Sequence, residues 1–228
     1  MRFLLLLLSG LLGCAPLSPM TTPAPTAAAG IPYLALGDSY TIGEGAPAAS
    51  RWPRQLAALA QAQGLPLAEP DIIARTGWTT AELQDAIQAA HHPKTYGLVS
   101  LLIGVNNQYR GQSVALYRAE FRALLTTAIA FAGGQARHVV VLSIPDWGQA
   151  PFAEGRDRAQ IAAEIDQFNQ VAHEECQHAD VAFVDITPAT RAAAGHENQF
   201  TADGLHYTAA HMQGWAALAL PVVQAQLR

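Results

Sequence analysis

Ser39, Asp203 and His206 are the residue types that nucleophilic acyl transfer requires. A serine hydroxyl attacks a carbonyl carbon only when a neighbouring base removes its proton. An imidazole serves as that base when a carboxylate holds one ring nitrogen and leaves the other free. Asp203 and His206 stand three residues apart, at the start of a helix expected over about 207–226. Around a first helical turn that spacing puts both side chains on one face, with Cβ atoms about 5–6 Å apart. Ser39 closes an abrupt change of pattern, where the apolar Leu34-Ala35-Leu36 runs into Gly37-Asp38-Ser39. The same tripeptide is also an ordinary turn, so its meaning depends on what positions it.

From residue 31 onward, apolar runs alternate with amphipathic stretches. Strands are expected over residues 33–36, 71–74, 98–103, 138–144 and 181–186. Between them, Leu56 and Leu59 mark the buried face of a helix over residues 51–63, capped by Ser50 and closed by Gly64. Thr79-Thr80-Ala81-Glu82 reads as a capping box. It opens a helix with Leu83, Ala86, Ile87 and Ala90 on one face, which closes at His91-His92-Pro93. Val114, Tyr117, Phe121, Leu124, Leu125 and Ala128 form the apolar stripe of a longer helix stopped by Gly133-Gly134; Ile161, Ile165, Phe168 and Val171 mark another, ending near His178. Five strands separated by helices specify an α/β fold, a parallel sheet covered on both faces.

In such a sheet the carboxyl ends of the strands share one rim, where ligands bind. Ser39 follows the first strand, Gly77 the second, Asn106 the third, and the Asp203/His206 pair lies downstream of the fifth. The order Gly37-Asp38-Ser39, Gly77, Gly104-x-Asn106, Asp203-x-x-His206 resembles the SGNH/GDSL family of serine esterases and lipases, over essentially all of residues 31–228. That resemblance implies a flavodoxin-like three-layer αβα sandwich and ester hydrolysis without a metal or cofactor. It also implies roles: Ser39 as nucleophile, His206 as general base and Asp203 as its orienter. The oxyanion donors would be the N–H groups of Ser39 and Gly77 and the Asn106 amide. One position departs from the pattern. The family's third block commonly reads Gly-x-Asn-Asp, and Asn107 stands at its end. A charge-assisted hydrogen bond that an aspartate would make there is expected to become neutral and weaker.

Composition narrows the class. Of 228 residues half are hydrophobic and 14% charged, enough for one globular domain with a proper core. The net charge of −5, with twelve arginines and a single lysine, gives no basic field for nucleic acid. Neither Gly-x-Gly-x-x-Gly nor Gly-x-x-x-x-Gly-Lys occurs, so no dinucleotide site or P-loop is indicated.

The N-terminus reads as a targeting segment. Met1-Arg2 precedes an apolar run over residues 3–12, too short for a bilayer span of about 20 residues but of signal-peptide size. Leu11-Leu12-Gly13-Cys14 resembles the bacterial lipoprotein box. It implies residues 1–13 as a signal peptide, lipid on Cys14, and residues 14–30 as a Pro-rich tether ahead of the domain at 31–228. By the same resemblance, Ala15 rather than Asp after the cysteine implies a cell-envelope, outer-membrane location. Two or three acyl chains would give stable anchoring, at about 0.8 kcal/mol per buried CH₂. A disulfide between Cys14 and Cys176 is the other use of this pair; the helical setting of Cys176 favours a half-buried inert thiol.

The remaining candidates carry weaker signals. Trp147 and Phe152, after the fourth strand, either border a substrate pocket or pack a loop; Tyr109 and Arg110 can reach a substrate's polar end. The small-residue loop after Ser39 is expected to wall the cleft. His173 and His178 are five apart and point about 140° from each other on a helix, against the four-residue gap of a zinc motif. His211, five beyond His206, reads as a surface or packing residue on the last helix rather than a second base. Within the enzyme class, a short-chain carboxylesterase or carbohydrate acetylesterase stands beside a lysophospholipase or thioesterase. Outside it stands a non-catalytic envelope binding lipoprotein.

Overall fold

A computed structural model describes residues 30–90 and 94–228. The expected signal segment, Cys14 and all of the expected tether but Gly30 fall outside those residues, as does the expected helix end at His91-His92-Pro93. No helix among the described residues is long and apolar enough to cross a membrane.

Strands β1 (Tyr33–Gly37), β2 (Asp71–Ala74), β3 (Leu98–Leu102), β4 (Val139–Leu142) and β5 (Ala182–Val184) form one sheet in the order β2-β1-β3-β4-β5. Every pairing is parallel. β1, β3 and β4 are buried at every position, which explains their continuous apolar runs. Burying one such leucine or valine contributes about 1.5–3 kcal/mol, against about 1–2 kcal/mol to order its backbone. The strands are shorter than the apolar runs: Ile103 and residues 143–144 are buried but lie past the strand ends.

Helix α2 (Trp52–Ala62) packs on α8 (Ala209–Leu227) on one face; α3 (Thr80–Ala90), α5 (Val114–Phe131) and α6 (Arg158–His178) cover the other. Right-handed crossovers demand this split. The chain leaves β1 for β2 on one side, then returns past β1 to β3 and continues outward. Ser50 does not cap α2. It ends a single 3-10 turn, Ala48–Ser50, and Arg51 precedes the helix without a side-chain cap, while Pro53 is absorbed in the first turn. Thr79 does form the expected box with Glu82: its N–H donates to the carboxylate at 2.8 Å. Cys176 is fully buried rather than half-buried, and burial pushes its thiol up to about 12.

α8 begins at Ala209, not Tyr207, so Asp203 and His206 sit in the preceding turn and not on a helical face. The physical reason is local. Asp203 Oδ1 accepts the N–H groups of Leu205 (2.8 Å) and His206 (3.0 Å), offering the backbone an alternative to helix. An isolated bridge between Phe200 and Tyr207 closes that turn.

Candidate active site

The order reverses at β1, so the gap beside β1 and β3 at their carboxyl ends is the topological switch point of the sheet. Gly37 pairs with Leu102 across that gap. A side chain on Gly37 would lie 2.1 Å from Thr41 Oγ1 and 2.4 Å from the Leu102 carbonyl, so only glycine lets the strands run this close. Ser39 then opens the four-residue helix α1 (Ser39–Ile42). Asp38 caps it, accepting the Tyr40 N–H at 3.0 Å. Its second oxygen, Oδ2, is buried without a hydrogen-bond partner, and burial pushes the carboxyl up to about 7.

His206 Nδ1 lies 2.6 Å from Asp203 Oδ2. An ionised carboxylate only accepts, so Nδ1 carries the proton and Nε2 offers a lone pair. Burial pushes the Asp203 carboxyl up. Hydrogen bonds from the His206 ring, the His206 and Leu205 N–H groups and the Thr201 hydroxyl outweigh that and hold it well below the carboxylate range. Tyr40 packs its ring edge-on against the His206 imidazole, centroids 5.5 Å apart.

Between the strand ends lies a cavity of about 180 Å³ lined by Ser39, Asn106 and His206 together with Tyr40, Val105, Tyr109, Trp147, Phe152 and Leu205. Asn106 comes from the short helix α4 (Val105–Tyr109), which follows Gly104. Its Nδ2 donates to the Trp78 carbonyl at 2.9 Å, spending one of two N–H bonds and fixing the amide plane. Gly77 does not itself line the cavity; it lies one residue before that carbonyl. Trp147 Nε1 donates to Gln108 Oε1 at 2.8 Å. Its ring meets Tyr109 (5.3 Å) and Phe152 (6.2 Å) in edge contacts.

Two expectations are corrected here. Arg110 turns away from the cavity: its guanidinium donates to the Gly77 carbonyl at 2.6 Å and pairs with Glu82 at 3.2 Å. Its partners are a backbone carbonyl of the preceding turn and a carboxylate in the first turn of α3, and it does not line the cavity. The loop after Ser39 is not a cavity wall either; Glu44 accepts the Thr76 hydroxyl and braces the turn that carries Gly77.

Asn107 also behaves differently from its sequence reading. It is fully buried, and its Oδ1 accepts the Thr80 N–H at 3.1 Å. Its Nδ2 reaches Thr80 Oγ1 (2.6 Å), Gln112 Oε1 (2.7 Å) and the Glu120 carboxylate (3.3 Å). The Thr80 hydroxyl donates to the same carboxylate. Glu120, from α5, thus supplies the charge that the family places at position 107, with the direction of donation reversed. An amide fits beside it where a second carboxylate would be repelled.

Of the other histidines, His211 stacks on Tyr207 (4.4 Å), contacts Gln199, and is pushed down to about 4 by burial. His173 stacks on Phe183. Sequence reasoning missed Tyr40, Val105 and Leu205 as lining residues, although each is adjacent to a residue it had singled out. It also missed Glu120, for which no local signal exists.

The sequence matches the model of the GDSL-like lipase/acylhydrolase family over residues 35–213. The chain belongs to that family. This GDSL-like acylhydrolase is therefore an ester-hydrolysing enzyme. No curated protein matches it. Among solved structures it is similar to the lipase/acylhydrolase from Enterococcus faecalis (22% identity, 87% of this chain and 97% of that one, TM-score 0.67). It is also similar to the acetylxylan esterase Axe2 from Geobacillus stearothermophilus (18%, 86% and 94%, 0.64). A third is the psychrotrophic esterase EstA from Pseudoalteromonas, in a structure inhibited by monoethylphosphonate (16%, 86% and 93%, 0.59). At these identities the likeness is one of fold.

Proposed function

We propose that this acylhydrolase cleaves small carboxylic esters through an acyl-enzyme on Ser39. The observation that carries the reading is that Ser39, His206 and Asn106 line one cavity while Asp203 grips the far nitrogen of His206 at 2.6 Å. Ser39 Oγ attacks the ester carbonyl carbon as His206 Nε2 takes its proton. Asp203 holds the imidazole orientation and stabilises the imidazolium that forms. Charge then develops on the carbonyl oxygen, which the Ser39 N–H and the free N–H of the Asn106 amide receive, with the Gly77 N–H, outside the cavity lining, assigned as third donor by the family's pattern alone. Collapse expels the alcohol with the proton from His206. Water, deprotonated by the same imidazole, releases the acid.

The acyl group is bonded to Ser39 from the collapse that expels the alcohol until water releases the acid, so it must be held in both half-reactions, whereas the alcohol leaves between them. An apolar cavity touching Ser39 suits the acyl group. Its volume of about 180 Å³ slightly exceeds the roughly 150 Å³ cavity that holds benzene, so acyl groups of about six carbons or fewer fit. A short-chain carboxylesterase or carbohydrate acetylesterase follows. The test is a series of p-nitrophenyl esters from acetyl to palmitoyl, with acetylated sugars and lysophospholipid alongside. Turnover should be greatest at or below six carbons and absent in Ser39→Ala. A preference for palmitoyl or lysophospholipid would favour the lysophospholipase or thioesterase reading, and no turnover at all a binding protein.

We also propose, from Leu11-Leu12-Gly13-Cys14 behind a short apolar run, that Cys14 carries lipid and tethers the domain to the cell envelope. Cys14→Ser should move the protein from the membrane to the soluble fraction; unchanged fractionation would contradict it.

A further inference from the structure

Two of the rings that line the catalytic cavity are poorly held by packing: Tyr109 is 47% exposed and Phe152 40%. Tyr109 ends the five-residue helix α4, and Phe152 sits in the single 3-10 turn Pro151–Ala153. Arg156 reaches both from the following loop. Its guanidinium carbon lies 5.5 Å from the Tyr109 ring centre, 5.3 Å from Trp147 and 5.2 Å from Phe152. It also reaches the Tyr109 hydroxyl at 3.4 Å. Among the described residues no carboxylate pairs with it. Asp157 caps α6 and Glu164 accepts the amides of Gln108 and Gln160, while Glu154, two residues before Arg156, forms no ion pair with it. The cation is therefore committed to the three ring quadrupoles.

We infer that Arg156 is a specificity-determining residue: it staples Tyr109, Trp147 and Phe152 into a fixed end wall and so limits the length of acyl group that Ser39 accepts. This rests on the acyl-pocket reading above. The wall has somewhere to go once released. A second cavity of about 330 Å³ lies against Tyr109 and Trp147, bordered by Arg156 itself with Gln108, Gln160 and Glu164. Without the guanidinium, Tyr109 can rotate into that space or outward to solvent, and the catalytic cavity lengthens. Arg156 touches no substrate in this account; it acts through the rings as a positioning residue.

The test compares kcat/KM for p-nitrophenyl octanoate and acetate in the wild type, Arg156→Ala, Arg156→Lys and Tyr109→Ala. The octanoate-to-acetate ratio should rise about tenfold in Arg156→Ala, chiefly through a lower KM for octanoate. Arg156→Lys, which keeps a cation without the planar fork, should fall between. Tyr109→Ala should give a similar rise, and combining it with Arg156→Ala should add little, because both release one wall. An unchanged ratio in Arg156→Ala overturns the inference, as does a loss shared equally by both esters, which is what a purely structural role gives. In either case a wild type that hydrolyses acetate through Ser39 leaves the esterase reading standing. A wild type that turns over no ester overturns both.

Discussion

The cleft has two walls. Where residues 77–80 meet α4, each important polar group has a fixed partner: Asn106 on the Trp78 carbonyl, Asn107 on Thr80, Arg110 on the Gly77 carbonyl and Glu82. Opposite, Tyr109, Trp147 and Phe152 meet in T-shaped and tilted contacts under one arginine, with two hydrogen bonds, from the Trp147 indole to Gln108 and from Arg156 to the Tyr109 hydroxyl. In the proposed mechanism the first wall stabilises charge that appears only in the transition state, so its donors gain from being held before the reaction. In the same proposal the second recognises apolar surface, which has no direction and tolerates adjustment. Side-chain loss should therefore strike kcat on the polar wall and KM on the aromatic one.

The largest contrast is between two single truncations. Asn106→Ala should lower kcat by about 10²–10³ with KM little changed. An effect confined to KM would remove Asn106 from the oxyanion site and erase the distinction between the walls.

Asp38, just before Ser39, is fully buried, and its carboxyl gives the next effect. The folded protein keeps that proton up to about pH 7, whereas an unfolded carboxyl loses it near the ordinary aspartate value of 3.8. The folded state thus binds more protons between these values, and stability falls as pH rises through that window. Asp38→Asn keeps the cap on Tyr40 and removes the ionisation. Its stability relative to the wild type should climb between about pH 4 and 7 and level off above, by on the order of 2–4 kcal/mol. A pH-independent difference in denaturant melts would place a partner on Oδ2.

On the polar wall, Asn107→Asp restores the family's usual residue and should nevertheless destabilise the fold by about 2 kcal/mol, because it meets Glu120. That is a fall in Tm of about 4–8 °C. Adding Glu120→Gln should recover more than half. If the single variant is as stable as the wild type, the carboxylate of Glu120 is not what selects asparagine here.

The smallest change is expected opposite, where Phe152→Ala should raise KM for short esters about threefold and leave kcat nearly unaltered. A kcat loss as large as that of Asn106→Ala would mean that the aromatic wall also orients the reacting bond.

How far the sequence foretold these walls differs in the same way. Ser39, Asn106 and the Asp203/His206 pair were legible because a parallel sheet sends every strand end to one rim, and each sits just past an apolar run or in a short polar turn. The helical placing of Asp203 and His206 was not, because three-residue spacing fits a helix as well as the Asx-type turn that Asp203 makes with Leu205 and His206. Glu120 and Arg156 left no local trace. Their partners lie on other elements, and an exposed charge on a helix or loop reads the same whether it meets water, an amide or three aromatic rings.

The central claim is that chemistry passes through Ser39, and a fluorophosphonate probe tests it without knowledge of the substrate. Folded wild-type protein should take up one phosphonyl group, located on Ser39 by peptide mass spectrometry. Labelling should vanish in Ser39→Ala and slow by orders of magnitude in His206→Ala. An adduct on another residue, or folded protein that hydrolyses p-nitrophenyl acetate with Ser39 unlabelled, would contradict it.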